Sequence, residues 1–335
     1  MRIAFTYSLK TAATEDQAEY DTPETVSMIE AALHRLGHVV LLIEASGTVA
    51  ELVAELERAR PDLIFNTAEA GTGRAREAFY PSLFQRLGIP YTGSDAYACT
   101  VTLDKHLTKL LVASHGVHVP RWVFARSVGD LAGCELRFPV IVKPNFEGSS
   151  MGITADSVVE DRATLELRAA DALTRFTDGL MVEEYIVGRD IVVPFLELVS
   201  PETGGILEPA EYVYQQQSDR RYPVFELEMK MRGFEDVKVR SPAQLSPEQR
   251  AEAMRSSRTC VEVLGVRDLG RMDYRIDESG TLYFLEMNAL PSLEPGASIY
   301  LSGQLAGLDG VAGVMEMVIA SAQRRYAALG GRRPA

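Results

Sequence analysis

Hydrophobic positions in the first hundred residues switch between two periods. Arg2 to Tyr7 (RIAFTY), His38 to Ile43 (HVVLLI) and Leu63 to Asn66 (LIFN) are short β-rich runs. Between the first two, Val26, Ile29, Ala32 and Leu33 recur at helical spacing. Thr22 is placed as N-cap, Pro23 at the first helical position and Gly37 as the stop. Further helices are predicted over about Val49 to Ala59, broken by Pro61, and over Ala78 to Leu87. Such alternation predicts a parallel sheet with right-handed crossovers, so residues 1–95 read as an N-terminal α/β domain.

Downstream, the pattern predicts a helix over Leu103 to Ser114, then strands in RFPVIVKP and LMVEEYIV with a loop and helix between them. Residues 191–285 hold longer strands, a helix near Pro247 to Val263, and a hairpin, DYRIDESGTLYFLEMN, turning at Ser279-Gly280. A last helix spans about Val311 to Ala327, before a frayed GGRRPA tail.

The 335 residues suggest two or more domains, and 46% hydrophobic with 24% charged residues is the balance of a globular chain. A net charge of −13 argues against a general binder of nucleic acid or anionic membrane. No apolar run of about 18 residues is present to span a membrane, and the first residues do not read as a secretory signal, so a cytoplasmic location is expected. Cys99, Cys134 and Cys260 are widely spaced and are expected as free thiols.

The sequence has no P-loop, no HExxH and no GxSxG, and Gly71-Thr72-Gly73 lacks the third glycine of a dinucleotide loop. What remains is Lys143, ending the apolar run Phe138 to Val142, followed by Asn145-Phe146-Glu147-Gly148-Ser149-Ser150-Met151-Gly152. A lysine at a buried strand end needs an anion, and glycines bracketing serines let backbone N–H groups approach phosphate. A solvated Gly/Ser hairpin is the alternative for that segment alone. Farther on, Arg271 and Asp273 share one strand face, as do Glu286 and Asn288 across the hairpin. Oxygen ligands of this kind suit Mg²⁺, and Arg271 beside them is a fork for phosphate or an oxyanion. A surface salt bridge on a polar sheet face is the competing reading.

With these residues in view, the chain resembles the ATP-grasp superfamily, specifically the D-alanine–D-alanine ligase family. IPYTGSD, LDKHLTK, VIVKP–EGSSMGI, MVEEYIVGRD, GRMDY and LEMNALP occur in the family order over nearly the whole length. The resemblance implies an N-terminal α/β domain (1–95), a central α+β domain (96–190) and a C-terminal α+β domain (191–328) before a tail (329–335), with ATP between the latter two. It implies joining of a carboxylate to an amine through an acyl phosphate, with release of ADP and phosphate. Lys105 and Lys143 match the phosphate-binding lysines, and Ser149, Ser150 and Met151 the loop over the phosphates. Glu183, Glu184, Tyr185 and Ile186 match the adenine hinge, Asp190 stands where a ribose-binding glutamate is usual, and Lys230 matches a lid lysine within Tyr222 to Arg240. Asp273, Glu286 and Asn288 match the ligands of two Mg²⁺ ions, with Mn²⁺ as the alternative ion. Arg271, Ser149 and the Ser292 region form the implied catalytic set, Arg271 and a backbone N–H near Ser292 holding the oxyanion.

The departures lie at the substrates. The first loop lacks the family's Gly-Gly and its acidic residue, for which Glu24 is the nearest candidate. The histidine-bearing loop is replaced by Asn66 to Gly73, including Glu69, and Met231 stands where the lid tyrosine is usual. Ser298 is the candidate for the second substrate's carboxylate, in a segment one residue longer than usual. Arg74 and Arg76 read as solvated loop charges in preference to a carboxylate site, Trp122 as a packing residue, and His106 as pocket-adjacent. The expected partners are small amino-acid substrates, with a homodimer suggested by the resemblance. D-Ala–D-Ala and another dipeptide or amide both stay open as products. A nucleotide-binding scaffold without turnover, and an acid–thiol ligase or carboxykinase, are the rival classes.

Overall fold

In the computed structural model, residues 1–214, 221–224, 226–227 and 237–328 are described. Strand β1 (Arg2–Tyr7) runs parallel between β2 (Val39–Glu44) and β3 (Leu63–Asn66), as the alternation predicts. Thr22 caps α1 (Pro23–Arg35) by accepting the Thr25 N–H at 3.1 Å, and a Thr48/Glu51 capping box starts α2 (Val49–Ala59). Both faces of β1 are covered. Ile3 and Phe5 pack towards α1, and Ala4 packs with Leu52, Leu56 and Phe84 of α3 (Arg76–Leu87). The final helix, Gly310–Ala328, adds Val314, Met315 and Val318 to the Ile3–Phe5 core, so the chain's last helix closes its first sheet.

The predicted helix over 103–114 forms as α5 (Lys105–Ser114), and a second helix that the pattern did not predict, α4 (Ala96–Leu103), ends just before it. Asp104 at the junction leaves helical geometry and accepts the Leu107 N–H at 3.1 Å, starting a new helix. Asn145 reinforces the break, donating to Asp104 at 2.8 Å and accepting the His106 N–H at 2.9 Å. Lys105 is thereby set in the first turn of α5, against the chain segment that follows Lys143.

Two antiparallel sheets follow. The first has the order β4 (Trp122–Ala125), β7 (Leu180–Glu184), β5 (Val140–Pro144), β6 (Val158–Val159), backed by α6 (Arg162–Arg175). The second runs β10 (Val237–Arg240), β9 (Ala210–Tyr214), β8 (Gly188–Leu196), β11 (Leu269–Asp277), β12 (Leu282–Asn288), backed by α7 (Pro247–Leu264). Of the predicted lid, residues 237–240 pair with β9 as a strand, and 225 and 228–236 lie outside the described residues. The hairpin β11–β12 forms as expected, with Gly280 at φ +86° in its turn. Among the described residues no single helix is long and apolar enough to cross a membrane.

Candidate active site

One cleft gathers residues from the two antiparallel sheets: Lys143 on β5, Glu183 and Glu184 on β7, Asp190 on β8, Arg271 and Asp273 on β11, and Glu286 and Asn288 on β12. Tyr185, Ile186, Ser149, Ser150 and Ser292 also line it, as do Glu69 and Glu77 from the N-terminal sheet's side.

The hairpin end is built by register. Asp273 pairs with Glu286 and Arg271 with Asn288 across the two strands. The register then slips by one residue, because Tyr274 pairs with Phe284 and Leu285 is left as a bulge. That extra residue lets Leu285 line the cleft alongside Glu286, while Phe284 and Met287 stay in the core. Arg271 donates to both oxygens of Asp273 at 2.7 and 2.8 Å, and the Asn288 amide reaches Asp273 at 3.2 Å. Burial raises Asp273 above the usual carboxylate range despite Arg271. Burial also opposes the charge of Glu286, but Lys105, Lys143 and Arg271 outweigh it and hold that group down at about 2. Lys105 Nζ lies 3.2 Å from Glu286 and donates to the Glu147 carbonyl.

The β5–β7 end holds a second charge cluster. Glu183 sits between Lys143 Nζ at 2.6 Å and Lys109 Nζ at 3.0 Å, and all three are buried. The Lys109 contact is an ion pair outside hydrogen-bond geometry, and Lys109 donates instead to the Phe284 carbonyl at 3.0 Å. Burial depresses Lys109 to about 8, with Lys143 adding repulsion; burial also opposes the charge of Lys143, but Glu183 and Glu286 hold it raised. Glu184 turns its carboxylate to Arg137, taking the backbone N–H at 3.0 Å and the guanidinium at 2.9 and 3.1 Å. The side chains of Glu183 and Glu184 are thus both engaged by cations. Asp190 accepts from Tyr214 and lies 3.3 Å from Arg275, whose guanidinium sits 4.6 Å over the Tyr185 ring.

In the loop after β5, Ser149 and Ser150 take positive φ values of 50° and 59°. Met151 donates its N–H back to Gly148 at 2.9 Å but does not line the cleft. Glu15, from the long first loop, accepts the Gly152 N–H at 3.0 Å and holds Arg175 at 2.6 Å.

Several expectations are corrected. Glu24 is exposed on the first turn of α1 and does not line the cleft, because the first loop folds so that Glu19 points inward instead. Ser298 is buried in the first turn of helix Ser298–Leu305, off the cleft wall. Arg76 is not solvated: 2% exposed, it holds Glu19 through two bonds of 2.8 and 2.9 Å and donates to the Phe146 carbonyl. Lys230, Met231 and Gly233 lie outside the described residues. Trp122 is a packing residue as expected, its indole donating to His106 at 2.9 Å.

Sequence reasoning missed Lys109, Arg275, Glu19 and Glu77. Lys109 had a signal, four residues after Lys105 on one helix face, and Arg275 continues the alternation of Arg271 and Asp273. Glu19 and Glu77 had none, since Arg76 and Glu19 meet across 57 positions of chain.

A family model described as "D-ala D-ala ligase C-terminus" matches residues 111–317. The D-alanine–D-alanine ligase of Aquifex aeolicus is 30% identical over 288 residues, covering 85% of this chain and 90% of that protein. The crystal structure of the Bacillus anthracis D-alanine–D-alanine ligase complexed with ATP superposes with a TM-score of 0.74 at 19% identity, covering 98% of this chain and 99% of the other. The VanG D-Ala:D-Ser ligase of Enterococcus faecalis gives 0.73 at 18% identity, covering 96% and 99%.

Proposed function

Since this chain belongs to the D-alanine–D-alanine ligase family of ATP-grasp enzymes, and is an ATP-dependent amide ligase, we propose that the cleft activates one amino acid as an acyl phosphate and passes it to the amine of another. The observation that carries this reading is the meeting of Lys143 with Glu286, Asp273, Asn288 and Arg271 at one end of the cleft, with Lys105 paired to Glu286 at 3.2 Å. Basic groups for a polyphosphate stand there beside hard oxygen donors for a divalent ion.

The donor set fits Mg²⁺. Asp273 and Glu286 face each other across the hairpin, and Asn288 adjoins. Ions held by Asp273, Glu286 and Asn288 would offset the negative charge of a triphosphate. The chain's own residues do the rest. Lys143 turns from Glu183 to a phosphate oxygen, leaving Glu183 with Lys109. Lys105 holds Glu286 in place, and the Gly/Ser loop offers N–H groups over the phosphates.

In the first step a carboxylate oxygen of the acid bonds to the γ-phosphorus and the bond to ADP breaks. In the second, the amine nitrogen bonds to the acyl carbon, phosphate leaves with the oxygen it gained, and the nitrogen loses a proton. Arg271 donates to the oxyanion between these events. Removing one such donor typically costs about 10²–10³ in rate. Ser292, on the cleft wall beyond β12, supports the same oxygen through the backbone near it.

The named relatives join D-alanine to D-alanine or D-serine. The ATP end of this cleft keeps the residue types that the family resemblance implies, whereas its N-terminal end departs from them. The test is a screen of amino-acid pairs with ATP, read by phosphate release and product mass. A product equal in mass to two amino acids less one water, formed with one ADP and one phosphate, is expected. ADP formation that no acid stimulates would remove the ligase assignment.

A further inference from the structure

Resting on the ligase reading, the N-terminal end of the cleft says something about the acid. Glu19 from the β1–α1 loop, Glu69 after β3 and Glu77 in the first turn of α3 each bring a carboxylate oxygen within 4.8 Å of the others. Asp21 continues the wall. The cation among them, Arg76, is already committed to both oxygens of Glu19 and to the Phe146 carbonyl. Glu69 is only 8% exposed, and its Oε2 has no hydrogen-bond partner; the nearest guanidinium nitrogen of Arg76 is 4.0 Å away. A buried carboxylate oxygen without a donor is unfavourable, so the arrangement calls for one from the ligand. Burial first, then the neighbouring carboxylates, push Glu69 up and Glu77 to about 7, the response of a cation site without its cation. Other charged groups facing the cluster are Glu147, 3.5 Å from Arg76, with Lys105 and Glu286 farther along the cleft.

We propose that this wall binds the side-chain cation of a basic amino acid, so that the carboxylate activated by ATP belongs to a diamino or guanidino acid. Arg76 and one α-ammonium set two positive groups against the four carboxylates of Glu19, Asp21, Glu69 and Glu77; a second positive group on the same ligand narrows that difference. The Arg76 guanidinium, already placed among these carboxylates, favours an organic cation over a bare metal ion.

Hydroxylamine isolates the acid half of the reaction, because it captures the acyl phosphate as a hydroxamate without the natural amine. Both enantiomers of ornithine, lysine and arginine are compared with those of alanine and norvaline, in the presence of ATP and Mg²⁺. At least one basic acid is expected to exceed every neutral one by about tenfold or more in kcat/KM, the worth of one added ion pair near 1.4 kcal/mol. That ratio is expected to collapse in both Glu69→Gln and Glu77→Gln, the second guarding against misfolding of the more buried first. Hydroxamate formed from neutral acids with a kcat/KM equal to or above that of the basic ones overturns the inference and leaves the ligase reading standing. Hydroxamate from no acid sinks the ligase reading, and calorimetry of D- and L-ornithine with the ATP-loaded protein then decides: saturable heat lost in Glu77→Gln supports the cation wall, and its absence overturns it. Saturable Mg²⁺ or Ca²⁺ binding that both variants abolish and ornithine does not displace also overturns it.

Discussion

Replacing Lys109 by methionine tests whether Glu183 needs two lysines. In the folded protein Lys109 Nζ lies 3.0 Å from Glu183 Oε2, with Lys143 Nζ 2.6 Å from the other oxygen. At an effective dielectric of about 20, a unit-charge pair at that distance is worth about 5 kcal/mol before desolvation is subtracted. Deleting one partner of a buried pair typically costs about 3–5 kcal/mol, because the remaining charge stays buried. Lys109→Met should therefore lower stability by about that amount in urea unfolding. It should also weaken ATP binding. Lys143 becomes the sole counter-charge of Glu183 and is held off the phosphates. A lost charged hydrogen bond of about 1.5–3 kcal/mol corresponds to about 10–150-fold in Kd by calorimetry. Adding Glu183→Gln removes the stranded charge and should restore much of the stability. If Lys109→Met leaves both the urea midpoint and the nucleotide Kd unchanged, Lys109 does not share Glu183 and the release of Lys143 is wrongly drawn.

Three further outcomes are expected. Arg271→Ala should lower kcat by about 10²–10³ while ATP affinity falls far less, since the guanidinium serves the oxyanion; equal losses in both would place Arg271 in ground-state binding. Gly148→Ala puts a methyl 2.1 Å from Glu19 Oε1, so Glu19 must leave Arg76, and KM for the acid should rise more than KM for ATP in steady-state kinetics. Glu77 is raised from 4.5 to about 7, so the folded state keeps a proton that the unfolded chain has lost between those pH values. Its contribution to stability therefore declines as pH rises from 4.5 to about 7. Because Glu77 is only partly buried, Glu77→Gln should gain about 1–2 kcal/mol on wild type across that window, measured by denaturant titration; a constant difference would contradict the shift.

Local pattern decided much of this protein before any folding was considered. The 3.6- and two-residue periods set the parallel N-terminal sheet, and the i, i+2 spacing of Arg271 and Asp273 put both on one face. The Ser279-Gly280 turn made the hairpin legible, but its register alone would set Asp273 opposite Leu285; the bulge at Leu285 brings Glu286 there. The polyphosphate end of the cleft was legible because each of its parts sits on a regular element whose side-chain direction the sequence dictates. Tertiary structure decided what periodicity cannot encode. Asp104 separates α4 from α5, and Asn145, 41 positions away, came to support the new start. The bulge at Leu285 added a cleft-facing side chain that strict alternation would have sent to the core. Glu24 has helical surroundings and faces solvent, whereas Glu19, Glu69 and Glu77, scattered over loops and a helix start, converge around Arg76. Charges in loops carry no period, and only the folded chain's burial of one guanidinium determines which carboxylates share it.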